Sequence, residues 1–185
     1  MLTPATRLPT SKVSSDKVAS VLSRFGFLRT VAGDEDFSSA VDAVVQMFAK
    51  GRGIFMTGPA GCGKTHLMRT IMRAMGNTAG ESFYYCKEPQ DIAALRSPDD
   101  LMNTNIYLDD IGAEEMIREY GNTIDAVGDF IQRYHYRGTG RFFATTNLDS
   151  SQVNARYGGR VLDRILEMCV VLKFSGKSKR ERVIV

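Results

Sequence analysis

The sequence has few cysteines and no long apolar run. Its three cysteines, Cys62, Cys86 and Cys169, are far apart and show neither metal-ligand spacing nor a disulfide pattern. Free thiols of this kind are typical of a reducing cytoplasm. No stretch approaches the roughly 18 apolar residues that a membrane-spanning helix needs, and the N-terminus lacks the apolar core of a secretory signal. The sequence therefore predicts a cytoplasmic protein with no membrane partner.

Internal repeats and low-complexity segments are also lacking, and the composition is that of a folded protein. Hydrophobic residues make up 43% of the chain and charged residues 24%, which suits a globular domain rather than a disordered chain. Tyr84 and Tyr85 are expected to pack in a core strand rather than to stack on nucleic-acid bases. A basic cluster near the C-terminus could contact a nucleic-acid backbone or could be a solubilising terminus. Its members are Lys173, Lys177, Lys179, Arg180 and Arg182.

Five short apolar runs predict β-strands, and helical patterns separate most of them. The runs are Gly53 to Thr57, Ser82 to Cys86, Ile106 to Asp109, Arg141 to Thr145 and Cys169 to Phe174. The two clearest helical patterns are Thr65 to Met75 and Thr123 to Tyr136. Buried runs that alternate with helices indicate an α/β fold with a parallel sheet covered on both faces. We expect a partly helical extension over residues 1–34 and one α/β domain over residues 35–185.

The most specific motif is Gly58-Pro59-Ala60-Gly61-Cys62-Gly63-Lys64-Thr65, which matches G-x-x-x-x-G-K-[ST] at every fixed position. A predicted strand leads into it and a predicted helix leads out, as in a phosphate-binding loop. Glycines let backbone N–H groups curl round phosphates, and the helix N-terminus adds partial positive charge. Lys64 should reach the β- and γ-phosphates, and the Thr65 hydroxyl should ligate Mg²⁺. The predicted nucleotide-binding residues are Gly58, Pro59, Ala60, Gly61, Cys62, Gly63, Lys64, Thr65 and His66.

A phosphate loop predicts a second strand that ends in an acid near the Mg²⁺. The run Ile106 to Asp109 qualifies, because it is apolar, lies downstream and ends in acid. Asp109 is therefore the predicted Mg²⁺ partner, through water. Asp110 follows where many ATPases place the base that orients the attacking water, although it could instead be a turn residue. Glu114 and Glu115 fall beyond this turn and are expected to cap the next segment.

Two further features each have a functional and a structural interpretation. Asn147 follows an apolar run and could hydrogen-bond the γ-phosphate or the attacking water, or could simply start a turn. Arg160 and Arg164 are spaced i and i+4 on one predicted helix face. An outward arginine that meets a neighbouring subunit's γ-phosphate can stabilise transition-state charge. The alternative is a solvated face on which Asp163 pairs with Arg160.

The segments GPAGCGKT, IYLDDIGAE, FFATTNL and YGGRVLDRI together resemble the AAA+ ATPases of the DnaC/DnaI helicase-loader and IstB type, over about residues 35 to 180. The resemblance implies that Asp109 and Asp110 are the Walker B acids and that Asn147 is the sensor 1 residue. It implies that Arg164 is the arginine finger, with Arg160 its close partner. It also implies that the predicted five-stranded parallel sheet is an AAA+ core. Because the sequence ends at Val185, soon after the last predicted strand, we expect no C-terminal lid domain, which agrees with the loader branch.

The function that this resemblance implies is a slow, assembly-dependent ATPase that uses ATP and Mg²⁺. Members of the family assemble side by side, bind single-stranded DNA, and load a replicative helicase or assist a transposase. We therefore expect a switch that recruits a helicase in DNA replication, with an IstB-like transposition ATPase as the alternative. A small-molecule kinase and a non-hydrolysing, nucleotide-gated adaptor are the remaining alternatives, since both can use the same loop.

Overall fold

The computed structural model describes residues 42–44, 46–47, 50–79, 83–89, 91–94, 101–114, 117–119 and 122–175. The predicted domain boundary after residue 34 lies outside the described residues, and so does the basic C-terminal cluster apart from Lys173. The described residues between 42 and 49 are helical, as is residue 50. Within this part of the chain, no helix is long and apolar enough to cross a membrane.

The strands are β1 (Gly53–Thr57), β2 (Phe83–Cys86), β3 (Asn105–Ile111), β4 (Ile117–Glu119), β5 (Asn122–Ile124), β6 (Phe142–Thr146) and β7 (Cys169–Lys173). Five of them form one parallel sheet in the order β2–β3–β6–β1–β7. β4 and β5 pair antiparallel in a separate two-stranded sheet. The predicted five-stranded parallel sheet is confirmed, and the β4–β5 pair is an addition to it.

The helices are α1 (Lys64–Ala79), α2 (Asp91–Ala94), α3 (Ala126–Arg137), α4 (Ser150–Tyr157) and α5 (Gly159–Met168). The Asp125 side chain caps α3 by accepting the Gly128 N–H at 2.9 Å. This helix therefore starts later than the pattern beginning at Thr123 predicted, because residues 122–124 belong to β5. Asp149 caps α4 in a capping box with Gln152.

Both faces of the sheet are buried at its central strands β1, β3 and β6, which explains why these strands are mainly apolar, whereas the edge strands β2 and β7 are partly exposed. Side chains on successive strand positions point to opposite faces. On one face the strand residues Ile54, Met56, Tyr107 and Phe143 pack with Leu67, Met68 and Ile71 of α1. On the other face Phe55, Ile106, Leu108 and Phe142 pack with residues of α3 and α5, among them Phe130, Ile131 and Ile165. Because the middle of each central strand is buried and apolar, most polar side chains of these strands lie at the carboxyl edge of the sheet.

β3 does not stop at Asp109, where the predicted strand ends, but continues to Ile111. The pairing of β3 with β6 shifts register between Leu108 and Ile111, as at a β-bulge. Asp110 lies inside this bulge with a φ of 57°, in the left-handed region that residues with a side chain rarely adopt. The bulge places Asp110 at the carboxyl edge of the sheet.

Candidate nucleotide-binding site

The phosphate loop over residues 58–65 joins β1 to α1. Gly58 has a φ of 147°, and a Cβ at this position would lie 2.6 Å from the Phe174 carbonyl oxygen. The chain after β7 therefore passes so close that only glycine fits here. Gly61 and Gly63 also have positive φ values, of 79° and 102°. The glycine spacing of the motif thus corresponds to a backbone that residues with side chains could not easily adopt.

Lys64 is a buried cation at the start of α1, 6% exposed. Its Nζ donates to the carbonyl oxygens of Gly58 at 2.7 Å and Pro59 at 2.8 Å, and to Asn147 Oδ1 at 2.8 Å. Burial lowers the pKa of Lys64, and the charge of Asp110 is among the influences that act in the opposite direction. A partly desolvated ammonium within a glycine loop attracts an anion strongly, because charge-assisted hydrogen bonds gain strength there.

The carboxylate of Asp109 is buried beside this loop. Its Oδ1 accepts hydrogen bonds from three hydroxyls: Thr65 at 2.8 Å, Tyr107 at 2.6 Å and Thr145 at 2.7 Å. The Thr65 hydroxyl and the Asp109 carboxylate are hard oxygen donors, which Mg²⁺ prefers. Among the described residues no group of three or more His, Cys, Asp or Glu side chains could hold a metal ion. Mg²⁺ bound with a nucleotide needs only one or two carboxylates in addition to the phosphates, so these two residues fit it.

Tyr85 and Arg69 extend the Asp109 cluster towards solvent, and neither was predicted to be part of the site. Tyr85 was expected to pack in the core, but it is 38% exposed and donates to Asp109 Oδ2 at 3.2 Å. Its ring stacks on Tyr107 with centroids 5.2 Å apart. Arg69 Nη2 lies 3.7 Å from Asp109 Oδ2 and hydrogen-bonds the Tyr85 hydroxyl. The register that pairs Tyr85 with Tyr107 brings the two rings together, and only the strand pairing could have revealed it.

Asn147 connects the phosphate loop with Asp110. Its Nδ2 donates to Asp110 Oδ1 at 2.6 Å, while its Oδ1 accepts from Lys64 Nζ at 2.8 Å. The sheet order explains this position, because β6 lies between β1 and β3. The residue that follows β6 therefore falls between the loop after β1 and the acid of β3. The structure brings Lys64, Thr65, Asp109, Asp110 and Asn147 together at one edge; their individual roles stay predictions.

Arg160 and Arg164 lie on α5, apart from this group. They line a cavity of about 330 Å³ together with Arg52, Asp163, Leu166 and Glu167. Arg164 Nη1 lies 3.1 Å from Glu167 Oε2, and His135 Nε2 lies 2.6 Å from the same oxygen. Arg52 precedes β1, whereas the phosphate loop follows it. The cavity is therefore lined by α5 and by the residue before β1, and not by the loop.

Glu114 was expected to cap the segment after it, but it folds back onto the turn that precedes it. It accepts the Gly112 N–H at 2.7 Å and the Tyr157 hydroxyl proton, and Arg156 Nη2 lies 3.5 Å from its Oε1. Neither Arg156 nor Tyr157 was predicted from the sequence to contact this turn. Glu115 lies outside the described residues.

Comparison with known proteins identifies related folds and a family. The chain is 21% identical to the DnaC helicase loader of a crystal structure, with a TM-score of 0.60, and the match covers 80% of this chain and 99% of that one. It is 20% identical to a candidate primosome component from Streptococcus pyogenes serotype M3, with a TM-score of 0.61, over 80% of this chain and 85% of that one. No curated protein matches the sequence significantly.

These structures establish the fold. The chain has the α/β fold of the DnaC helicase loader, as the motifs predicted. The model of a family described as Novel STAND NTPase 3, or nSTAND3, matches residues 38–184. With a phosphate loop in its expected place between β1 and α1, the domain is a P-loop NTPase. The chain belongs to the nSTAND3 family.

Proposed function

We propose that the chain is an ATP-hydrolysing switch of the DnaC helicase-loader type, which acts in the cytoplasm during DNA replication. In this proposal it recruits or loads a replicative helicase on single-stranded DNA. The observation that carries the proposal is the hydrogen-bond chain from Lys64 through Asn147 to Asp110, beside the Thr65–Asp109 pair. A γ-phosphate bound here would lie between the Lys64 end and the Asp110 end of this hydrogen-bond chain, so its presence or loss would affect both ends.

Nucleotide binding is the work of the phosphate loop and Lys64. The Lys64 ammonium would exchange its carbonyl partners for the β- and γ-phosphates, which carry more charge. Thr65 and Asp109 would hold the Mg²⁺, which, when bound, neutralises charge on the phosphates. The three hydroxyls around Asp109 Oδ1 keep that carboxylate in place before any cation arrives.

Hydrolysis would depend on Asp110 and Asn147. Asp110 accepts the proton of the attacking water or orients that water, and Asn147 keeps the Asp110 carboxylate aligned with the loop. Aspartate is one methylene shorter than glutamate, so its reach towards the water is limited. We therefore expect slow turnover, which suits a switch better than a motor.

Arg160 and Arg164 would act on the nucleotide of a neighbouring copy. The cavity that they line includes no residue of the phosphate loop of their own chain, so we expect a side-by-side assembly to bring them to a γ-phosphate. The exposed pair of Arg164 with Glu167 holds the arginine only weakly, because surface ion pairs are strongly solvated. Arg164 is therefore available to a more charged partner.

The test is ATP turnover measured over a range of protein concentrations, with and without single-stranded DNA, alongside a mass measurement with ATP bound. We expect turnover to rise with protein concentration and with DNA, and Lys64→Ala to abolish it. ATP binding without turnover under all conditions would identify a nucleotide-gated adaptor. Phosphate transfer to a nucleoside rather than to water would identify a kinase.

The partner requires a separate measurement, because the alternative is an IstB-like accessory ATPase of transposition. A purified replicative helicase should bind the ATP-bound protein and change its turnover. If a transposase produces this change and the helicase does not, the protein acts in transposition. The Lys64→Ala protein, tested in parallel, shows whether either interaction depends on the nucleotide.

A further inference from the structure

The Glu114 side chain joins the turn after β3 to the end of α4. The side chain is 3% exposed, and its carboxylate accepts the Gly112 N–H at 2.7 Å and the Tyr157 hydroxyl proton. Arg156 Nη2 donates to the Glu114 backbone oxygen at 2.8 Å. One buried acid therefore ties together two elements that flank the proposed hydrolytic residues.

The turn that Glu114 holds has an unfavourable backbone. Asp110 has a φ of 57° and Gly112 a φ of 94°, so two left-handed residues lie close together in a short turn. Aspartate visits this region more readily than most residues with a side chain, but the conformation still costs free energy, which nearby hydrogen bonds offset. The Asp110 N–H donates to Thr145 Oγ1 at 2.8 Å, and Thr146 Oγ1 donates to the Ile111 carbonyl at 2.6 Å. The bond from Gly112 to Glu114 is a further restraint in this turn.

The two anchors of Glu114 on α4 are well held. Burial raises the pKa of Tyr157, and its hydrogen bond to Glu114 raises it further, so the phenol stays a donor at neutral pH. The Arg156 guanidinium lies over the Tyr157 ring, with Cζ 5.3 Å from the centroid. Arg156 Nη1 is buried and has no hydrogen-bond partner in the described part of the chain. The guanidinium is therefore packed in place rather than solvated.

We propose that Glu114 is a positioning residue for hydrolysis: by fixing the Gly112 turn against Tyr157, it sets the direction of the Asp110 carboxylate. Glu114 does not contact the reacting atoms and acts through Asp110. The proposal rests on the proposed function, because it takes Asp110 to be the base. The proposal gives Glu114 a role in hydrolysis, which neither nucleotide binding nor helix capping would explain.

The first test compares Glu114→Ala and Glu114→Gln in the full chain. Misplacing a reacting group slightly is costly, so we expect Glu114→Ala to lower kcat about 10- to 100-fold while the Kd for ATP changes by about twofold at most. Glu114→Gln keeps an oxygen that can accept from Gly112 or Tyr157, and it should recover most of kcat. Tyr157→Phe removes the hydroxyl that donates to Glu114 and should also lower kcat. This variant therefore tests the proposal even if the Glu114→Ala protein does not fold.

The second test repeats Glu114→Ala in an Asp110→Asn background. If Glu114 acts only through Asp110, adding Glu114→Ala should not lower the residual turnover of the Asp110→Asn protein any further. Full kcat in Glu114→Ala, an additive loss in the double variant, or a fall in kcat matched by equal losses of ATP affinity and melting temperature would overturn the proposal. Equal turnover in the parent and Asp110→Asn proteins would instead contradict the proposed function itself.

Discussion

Asp110 occupies a backbone conformation that few residues with side chains adopt. Its φ is 57°, and Asn147 Nδ2 holds its carboxylate at 2.6 Å. Besides glycine, asparagine and aspartate are the residues that visit this region most readily. An Asp110→Asn change therefore preserves the backbone and the shape of the side chain while removing the negative charge. It separates the chemical role of this residue from its role in the turn.

We expect Asp110→Asn to bind ATP with the affinity of the parent and to lose about a hundredfold or more in turnover, the usual scale for removing a general base. Single-turnover hydrolysis and equilibrium binding of a fluorescent ATP analogue measure the two effects separately. Asp129→Asn, an exposed position in the first turn of α3, is the matched control and should be inert. Intact turnover in Asp110→Asn would make Asp110 a turn residue.

Gly58 and Gly158 allow backbone strain to be separated from crowding. Both have positive φ, but a Cβ at Gly158 would meet nothing within 4 Å, whereas a Cβ at Gly58 would lie 2.7 Å from Phe174 Cβ. We expect Gly158→Ala to lower the free energy of unfolding by about 1–3 kcal/mol through strain alone, because its φ of 84° and ψ of 159° lie in a region essentially restricted to glycine. Gly58→Ala should cost more and should also weaken ATP binding, because the phosphate loop must shift.

Chemical denaturation and ATP binding on the two glycine variants provide the measurement. Equal losses of stability, with ATP binding unchanged in both, would show that the approach of Phe174 does not constrain the loop.

At the scale of residues, the sequence was enough to predict those candidate site residues that lie at strand ends or within one contiguous motif. Lys64 and Thr65 follow from the motif, and Asp109 and Asn147 from apolar runs that end in polar residues. The Arg69–Tyr85 contact could not be predicted, because it depends on the rotation of α1 and on the register of β2 against β3. Neither quantity can be read from residue spacing.

At the scale of elements, the position of Asp109 depends on α1, β3 and β6 together. Each contributes one hydroxyl to Oδ1: Thr65, Tyr107 and Thr145, respectively. Burial raises the pKa of Tyr107, and its hydrogen bond to Asp109 raises it further, so the phenol remains protonated and donates. The three elements are therefore linked through one carboxylate.

Removing one of these donors should loosen all three elements. We expect Tyr107→Phe to lower the free energy of unfolding by about 1.5–3 kcal/mol, the range for a hydrogen bond to a charged group. Tyr84→Phe, in the paired strand β2, is the control, since Tyr84 lies on the other face of the sheet. Urea unfolding of both variants gives the comparison. A Tyr107→Phe protein as stable as Tyr84→Phe would show that the other two hydroxyls suffice.

The central sheet strands were predictable because they are buried on both faces and so form apolar runs, and the partly exposed edge strands β2 and β7 are still rich in apolar residues. The elements that were not predicted are short or sparsely buried. β4 and β5 have three residues each, and α4 buries only Val153 and Tyr157. Asp149 is the N-cap of α4, and no helix was predicted to start there.

At the scale of the molecule, the proposed assembly would place the nucleotide-binding edge and the arginine cavity against different neighbours. The phosphate loop follows β1, and Arg52, which lines the cavity with Arg160 and Arg164, precedes it. An assembly in which the cavity of one copy meets the nucleotide edge of the next is head-to-tail, with a different surface on each side. In such an assembly each complete site contains residues from two chains.

A mixing experiment tests this sharing. Arg164→Ala and Asp110→Asn proteins should each be inactive alone, yet an equal mixture should recover about one quarter of the parent turnover, because one interface in four combines an intact Asp110 with an intact Arg164. Mixing Arg164→Ala with the Asp110→Asn, Arg164→Ala double variant is the control and should recover nothing. No recovery in the first mixture would mean that Arg164 does not act across an interface.

The order of the strands also governs when the protein becomes active as it is made. β1 leads directly into the phosphate loop, yet its neighbours in the sheet are β6 and β7, where Phe55 pairs with Ala144 and Gly53 with Cys169. Contacts between residues so distant in sequence close large loops and form late. The loop motif therefore leaves the ribosome long before the strands that hold it. We therefore expect nucleotide to bind only after β7 has been synthesised, and the apolar face of α1 to lack its packing partners until then.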